Sequence, residues 1–215
     1  MAQAERRNEV IERKIMKLYY TTNSPFARKV RIAAIERKLD GKIELEVLNP
    51  WSEGNPVGKV NPVGKVPTLV TEDGTLLYDS PVICEYLDTI GTEPKLFPGN
   101  GPSRWLALRQ NALGDGLLDA MIARRLESRR PDGERSNGWI DRQIATVNRC
   151  LDAMEAEAAS LTGSVTIGHI ALACALGHLD FRFADDPWRP GRAKLARWFD
   201  DFAKRPSFVA TTTHD

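Results

Sequence analysis

Cysteine is scarce in this chain: Cys84, Cys150 and Cys174 are odd in number, far apart and without a C-x-x-C pair. That excludes a disulfide framework and a thiolate zinc site, and it suits a reducing compartment such as the cytoplasm. An excess of one charge is also lacking. Lys and Arg number 30 against 29 Asp and Glu, a net +1, so no strong field draws the chain to nucleic acid or to an anionic membrane. Arg124-Arg125 and Arg129-Arg130 sit on a helical pattern with interspersed acids and read as a solvated face. No run of 18 apolar residues exists to cross a bilayer. The first fifteen residues, MAQAERRNEVIERKI, carry no apolar core of a signal peptide. Residues 1–15 are expected to be a disordered or marginal extension, removable without loss of stability or activity, with Met16 as an alternative start.

What is present is a globular composition. The 215 residues are 42% hydrophobic and 27% charged, enough for one large or two small domains. Lys17 to Thr21 has strand character. Thr22-Asn23-Ser24-Pro25 then opens a helix, with Ser24 as N-cap and Pro25 at the first helical position. Val30, Ile32, Ala33, Ala34 and Leu39 continue it, and Arg28, Lys29, Arg31, Glu36, Arg37 and Lys38 are expected on its wet side. Lys42 to Leu48 alternates, placing Ile43, Leu45 and Val47 on one strand face. Strand, helix, strand of this length makes a right-handed βαβ unit.

A tandem follows, Asn55-Pro56-Val57-Gly58-Lys59-Val60 and Asn61-Pro62-Val63-Gly64-Lys65-Val66. Two six-residue copies are too few for a solenoid, so the first lengthens a loop and the second leads into a strand. Pro67 belongs at that strand's first residue or in a tight turn. A cis Val66-Pro67 bond would turn the Val66 N–H and C=O outward, ready to pair with an extended peptide. Only about 5–6% of X-Pro bonds are cis, so the dipeptide alone decides nothing. Glu72-Asp73-Gly74 is a hairpin turn, Thr75 to Tyr78 a return strand, and Asp79-Ser80-Pro81 starts a helix reaching Ile90. Gly91 to Gly101 is rich in Gly and Pro, as a linker would be. Everything beyond is helical, with Pro131-Asp132-Gly133 between two long helices, an almost wholly apolar helix from Ile167 to Leu179, and a last helix from Ala193 to Ala203 ending at Arg205-Pro206.

Several stretches together resemble the cytosolic glutathione transferase family, in particular bacterial members with a serine at the active position. They are Ser24-Pro25-Phe26 with Arg28-Lys29-Val30, Asn61 to Pro67, Asp79-Ser80-Pro81-Val82-Ile83 and Thr166-Ile167-Gly168-His169-Ile170-Ala171, in the family's order from Met16 to about Phe208. The resemblance implies an α/β N-terminal thioredoxin-like domain (βαβ-ββα) over residues 16–91, a linker over 92–101 and an all-α C-terminal helical domain over 102–215. It implies a glutathione S-transferase: a soluble, cytoplasmic detoxification-type homodimer taking glutathione as co-substrate with a small hydrophobic electrophile, and needing no metal or cofactor.

On that resemblance Val66, before Pro67, exchanges main-chain hydrogen bonds with the cysteinyl unit of glutathione. Asp79 takes the γ-glutamyl ammonium, Ser80 and the helix start its carboxylate, and Lys65 the glycyl carboxylate. Ser24 is the catalytic candidate, its hydroxyl and helix N-terminus holding the sulfur as thiolate. Thr22, Asn23 and Tyr20 are rivals for that contact. Trp105, Arg109 and Leu113 are candidates for the electrophile pocket, with Trp105 equally suited to the core and Arg109 to pairing with Asp115 or the first domain. Two features depart from the family: the duplicated loop, and His169 where an acid usually closes a capping box. There the return bond is expected to be weakened, a local defect of about 1 kcal/mol. A cysteine-dependent thiol oxidoreductase and a docking module without turnover are the competing readings, the first disfavoured because Ser24 stands where its cysteine would be.

Overall fold

The computed structural model describes residues 15–92 and 94–214. The extension expected over residues 1–15 therefore lies, except for Ile15, outside the described residues. Strand β1 (Met16–Tyr20) is followed by helix α1 (Pro25–Glu36), strand β2 (Ile43–Val47), strand β3 (Thr68–Val70), strand β4 (Leu76–Leu77) and helix α2 (Ser80–Ile90). The sheet order is β2-β1-β3-β4. The α1 crossover makes β1 and β2 parallel, with Leu18 opposite Leu45, while β3 runs antiparallel to β1 and to β4. The return strand is shorter than expected because Thr75 belongs to the turn. Its carbonyl accepts from the Thr71 amide at 2.9 Å, and Gly74 takes a φ of +88° there, which suits glycine.

Two expectations of burial are corrected. Leu45 and Val47 share a face with buried Ile43 but are 45% and 60% exposed, on a strand that forms the edge of the sheet. Conversely, Arg28, Lys29 and Arg37 are buried rather than wet. Helix α1 is enclosed by the sheet on one side and by the second half of the chain on the other, so each cation has an internal partner. Arg37 Nε lies 3.2 Å from Asp88 of α2, and Lys29 Nζ lies 2.7 Å from Asp115. Arg28 donates to the Phe208 carbonyl at 3.0 Å and stacks over the Phe208 ring.

The second half comprises α3 (Gly101–Ser128), α4 (Asn137–Glu157), α5 (Ile167–Arg182), α6 (Ala193–Phe202) and a short α7 (Pro206–Val209). Helix α5 is buried at almost every position, as its unbroken apolar run requires. It packs closely on α3 through two glycines. A Cβ at Gly114 would sit 2.7 Å from the Ala171 backbone, and one at Gly168 would sit 2.9 Å from the Ala107 carbonyl. The segment between the halves is fastened, since the Asp88 carboxylate accepts from the Leu96 amide at 2.7 Å and Leu96 returns its carbonyl to the Ile167 amide at 2.9 Å.

The capping box of α5 is complete, which corrects the expected defect at His169. The Thr166 amide donates to His169 Nδ1 at 3.0 Å. A bare imidazole nitrogen accepts this bond as a carboxylate does, provided the ring is neutral. Burial, reinforced by Arg205, lowers the His169 pKa and favours that form.

Candidate functional site

The Val66-Pro67 bond is cis, and among the hydrogen bonds of the described residues none uses the Val66 amide or carbonyl. Its surroundings are held by Asn61, a buried residue. The Asn61 amide donates to the Lys65 carbonyl at 2.8 Å and to Thr68 Oγ1 at 3.1 Å, and its oxygen accepts from the Val63 amide at 2.9 Å. Lys65 itself is exposed. The two hexapeptide copies fold differently: the first is a 3-10 turn, Pro56–Lys59, with Val57 buried, whereas its counterpart Val63 is exposed. Asn55 does not repeat the Asn61 bonds. It takes a φ of +35°, with its side-chain amide against Gly64.

Ser24 caps α1 from an extended backbone, its Oγ accepting from the Ala27 amide at 3.2 Å. Accepting leaves the hydroxyl proton available to a further partner. Pro25 has no N–H and Ala27 is taken, so the Phe26 amide is the first turn's remaining donor. Of the rivals, Tyr20 lies with its ring under the Arg31 guanidinium at 5.2 Å, the Asn23 side chain accepts from the Thr21 hydroxyl at 3.3 Å, and Thr22 is half-buried in the turn. At α2, Asp79 rather than Ser80 occupies the N-cap position and makes no side-chain cap bond. Asp79 is exposed, whereas Ser80 is buried at the first helical position, where amides lack partners inside the helix. Ser24, Lys65, Val66, Pro67, Asp79 and Ser80 thus stand at the starts of α1, β3 and α2.

Helix α3 contributes differently from the three residues named for it. Trp105 is 68% exposed, Arg109 forms a two-pronged ion pair with Glu157 of α4 at 2.6 and 2.9 Å rather than with Asp115, and Leu113 packs on the core edge. Asp115 is held by Lys29, which also donates to Asn111 at 3.3 Å. One turn on, Asp119 also feels the strand and helix starts, as Asp115 feels Asp79. Burial lifts the Asp119 carboxyl above the ordinary range, Lys65 opposes that, Asp79 adds to it and Lys29 opposes it. Trp105 is fourteen residues away, about 21 Å along the helix. The sequence carried no signal for Asp115, because Lys29 read as part of the wet side of α1, and its need for an acid shows only once that helix is enclosed. Nor does any signal mark Asp119.

Burial pushes the Cys84 and Cys174 thiols up to about 12. Among the described residues no group of three His, Cys, Asp or Glu is arranged to hold a metal, and no helix is long and apolar enough to cross a membrane.

Comparison with known proteins returns one family. The model of the glutathione S-transferase N-terminal domain matches residues 23–90, and that of the C-terminal domain residues 137–201. The uncharacterized GST-like protein YibF of Escherichia coli K12 is 36% identical over 202 residues, covering 91% of this chain and 98% of that protein. A glutathione transferase family member from Pseudomonas fluorescens Pf-5, solved with bound glutathione, is 36% identical with a TM-score of 0.89, covering 93% of this chain and 100% of that one. A glutathione S-transferase from Methylobacillus flagellatus KT, also with glutathione bound, is 35% identical with a TM-score of 0.88 over the same shares.

Proposed function

We propose, from the premise that this chain belongs to the glutathione S-transferase family, that it joins glutathione to a small hydrophobic electrophile. The observation that carries this reading is the Val66 backbone edge, unengaged among the described residues and flanked by two helix N-termini. The cysteinyl unit pairs with that edge as a short added strand. The γ-glutamyl carboxylate lies at Ser80 and the α2 start, its ammonium at Asp79, and the glycyl carboxylate at Lys65. The sulfur then faces the first turn of α1.

There the Ser24 hydroxyl and the Phe26 amide donate to sulfur and favour its anion. A free thiol ionises near about 8.5, so a lowered value enlarges the thiolate fraction at neutral pH. The thiol proton leaves to solvent, a sulfur lone pair forms the new S–C bond, and the leaving group departs with the electrons of the bond it breaks. With an activated alkene the pair moves to the neighbouring carbon, which is then protonated. Ser24 remains neutral throughout. The chain acts as a cytoplasmic homodimer on the family's pattern, and the exposed Trp105 and Leu106 are apolar surface that a second copy would cover.

The test pairs calorimetric binding of glutathione with conjugation of 1-chloro-2,4-dinitrobenzene and a panel of other electrophiles. Ser24→Ala is expected to lower kcat/KM roughly 10–1000-fold and to raise the pH at which bound glutathione shows its thiolate absorbance. Glutathione binding without conjugation of any panel member would select the docking module instead. Unchanged turnover in Ser24→Ala would move the thiol contact to a neighbouring residue.

A further inference from the structure

We propose that the cavity at the far end of α1 binds a small organic carboxylic acid, an apolar body ending in a carboxylate, at a site separate from the glutathione cleft. Ser24 caps the start of α1 and Glu36 is its last residue, so about 18 Å of helix part this cavity from the proposed thiolate. Its volume is about 450 Å³, within the range of roughly 300–1,000 Å³ typical of sites for small organic molecules. Both halves of the chain wall it. Ile35 comes from α1, Pro94 and Leu96 from the segment between the halves, Val165 from just before α5 and Pro206 from the start of α7. These walls are fixed before any ligand arrives. The Leu96 carbonyl accepts from the Ile167 amide at 2.9 Å and its amide donates to Asp88 at 2.7 Å, while Arg205 grips Glu36 at 2.9 and 3.0 Å. The two prolines have no side-chain freedom to lose when a ligand settles against them.

The rim selects the charge of the ligand. Its charged side chains among the described residues are Glu36, Lys38 and Arg205. Glu36 is taken up within the protein, since both its oxygens accept from Arg205 and one also accepts from the Ser207 hydroxyl. Burial works against that carboxylate, yet these bonds hold its carboxyl below the ordinary range. The Arg205 charge is thereby matched, and the Lys38 charge is not. No hydrogen bond or ion pair among the described residues engages the Lys38 ammonium or the Ser164 hydroxyl, and Arg205 meets Glu36 through Nε and Nη2, leaving Nη1 outside the pair. Lys38 stands just past the helix, its amide donating to the Ile35 carbonyl at 3.0 Å and its φ at +57°. Apolar walls with these three donors and one unmatched positive charge favour a carboxylate over a neutral body of the same shape and disfavour an ammonium. A ligand seated there touches Ile35 of the first half and Val165 and Pro206 of the second, so it reinforces the join between them and stabilises the folded chain by mass action.

The experiment uses the full chain with saturating S-hexylglutathione, which keeps apolar probes out of the glutathione cleft. Calorimetric titration then compares 4-phenylbutyrate, 4-phenylbutanol and 4-phenylbutylamine. The butyrate is expected to saturate a single site with a Kd below about 1 mM and to raise Tm. At low salt it should bind roughly tenfold more tightly than the alcohol, with the amine weakest. Lys38→Gln should make butyrate and alcohol equal, and Ser164→Trp, at an exposed position, should fill the cavity and abolish binding of all three. Absence of saturable butyrate binding, equal affinity for the alcohol in the wild type, or an affinity that both variants leave unchanged overturns the proposal. Butyrate binding seen only without S-hexylglutathione would assign it to the glutathione cleft and overturn the proposal equally. Should S-hexylglutathione itself fail to bind, the glutathione reading falls, while Lys38→Gln and Ser164→Trp still decide this one.

Discussion

Asn61 shows how one side chain can fix a free backbone edge from behind. Its two donor bonds and one accepted bond tie together Val63, Lys65 and Thr68, the residues on either side of Val66. Replacing it by Ala leaves the Val63 amide without its partner and the Lys65 carbonyl with the Thr68 hydroxyl alone, at 3.2 Å. Asn61→Ala is expected to cost about 1–3 kcal/mol of stability and to weaken glutathione binding more than it slows chemistry at saturation. Denaturant unfolding with kcat and KM measured separately checks both parts. At this scale the sequence was informative where a residue type has few uses. Ser24 before Pro25 announced a cap, whereas Val66 before Pro67 pointed to an outward backbone only together with the hairpin and helix start that follow it. It was uninformative about which of two identical hexapeptides would be buried, because the difference between Val57 and Val63 is made by tertiary neighbours. It also concealed that His169 can close a capping box, since an acceptor nitrogen does the work usually assigned to an acid.

Helix α5 carries the pH response of the fold. His178 is buried among Arg28, Arg125 and Arg182, and burial first, then these cations, lower its pKa to about 4. In the unfolded chain histidine takes up its proton near about pH 6.5. As pH falls through 6.5 the unfolded state gains protons that the folded state refuses, so stability declines until about pH 4, where the folded state protonates as well. Above pH 6.5 the ring is neutral in both states and the full stability is present. The loss across the window is about 3 kcal/mol. Melting temperatures recorded from pH 4 to pH 7 should fall toward acid, and His178→Asn should flatten the slope. Element boundaries in this half followed from periodicity, because long helices with Pro-Asp-Gly between them repeat their signal many times. The exposed end of β2 escaped the same method. Alternation marks a shared face, and only the neighbouring layer decides whether that face is covered.

Across the whole molecule, the two halves are joined by buried charge as well as by apolar packing. The ammonium of Lys29 is fully buried, and Asp115 is its carboxylate partner. Lys29→Met should cost about 3–5 kcal/mol by leaving that carboxylate uncompensated, whereas the double variant Lys29→Met with Asp115→Leu should recover most of the loss. Urea unfolding of both single variants and the double variant measures the coupling. These contacts were hidden in the sequence because their partners lie some eighty to one hundred and eighty positions apart, beyond the reach of any local pattern. The longest of them reach from α1 to the segment around α7. Arg205 and Ser207 hold Glu36, while the Phe208 carbonyl and the Thr211 hydroxyl receive Arg28. Translation proceeds in the opposite sense, so the helix that begins at Ser24 leaves the ribosome early and waits for residues 205–211 to emerge before its anchorage is complete. A nascent polypeptide halted ahead of that point carries Ser24 on a helix that lacks its last ties.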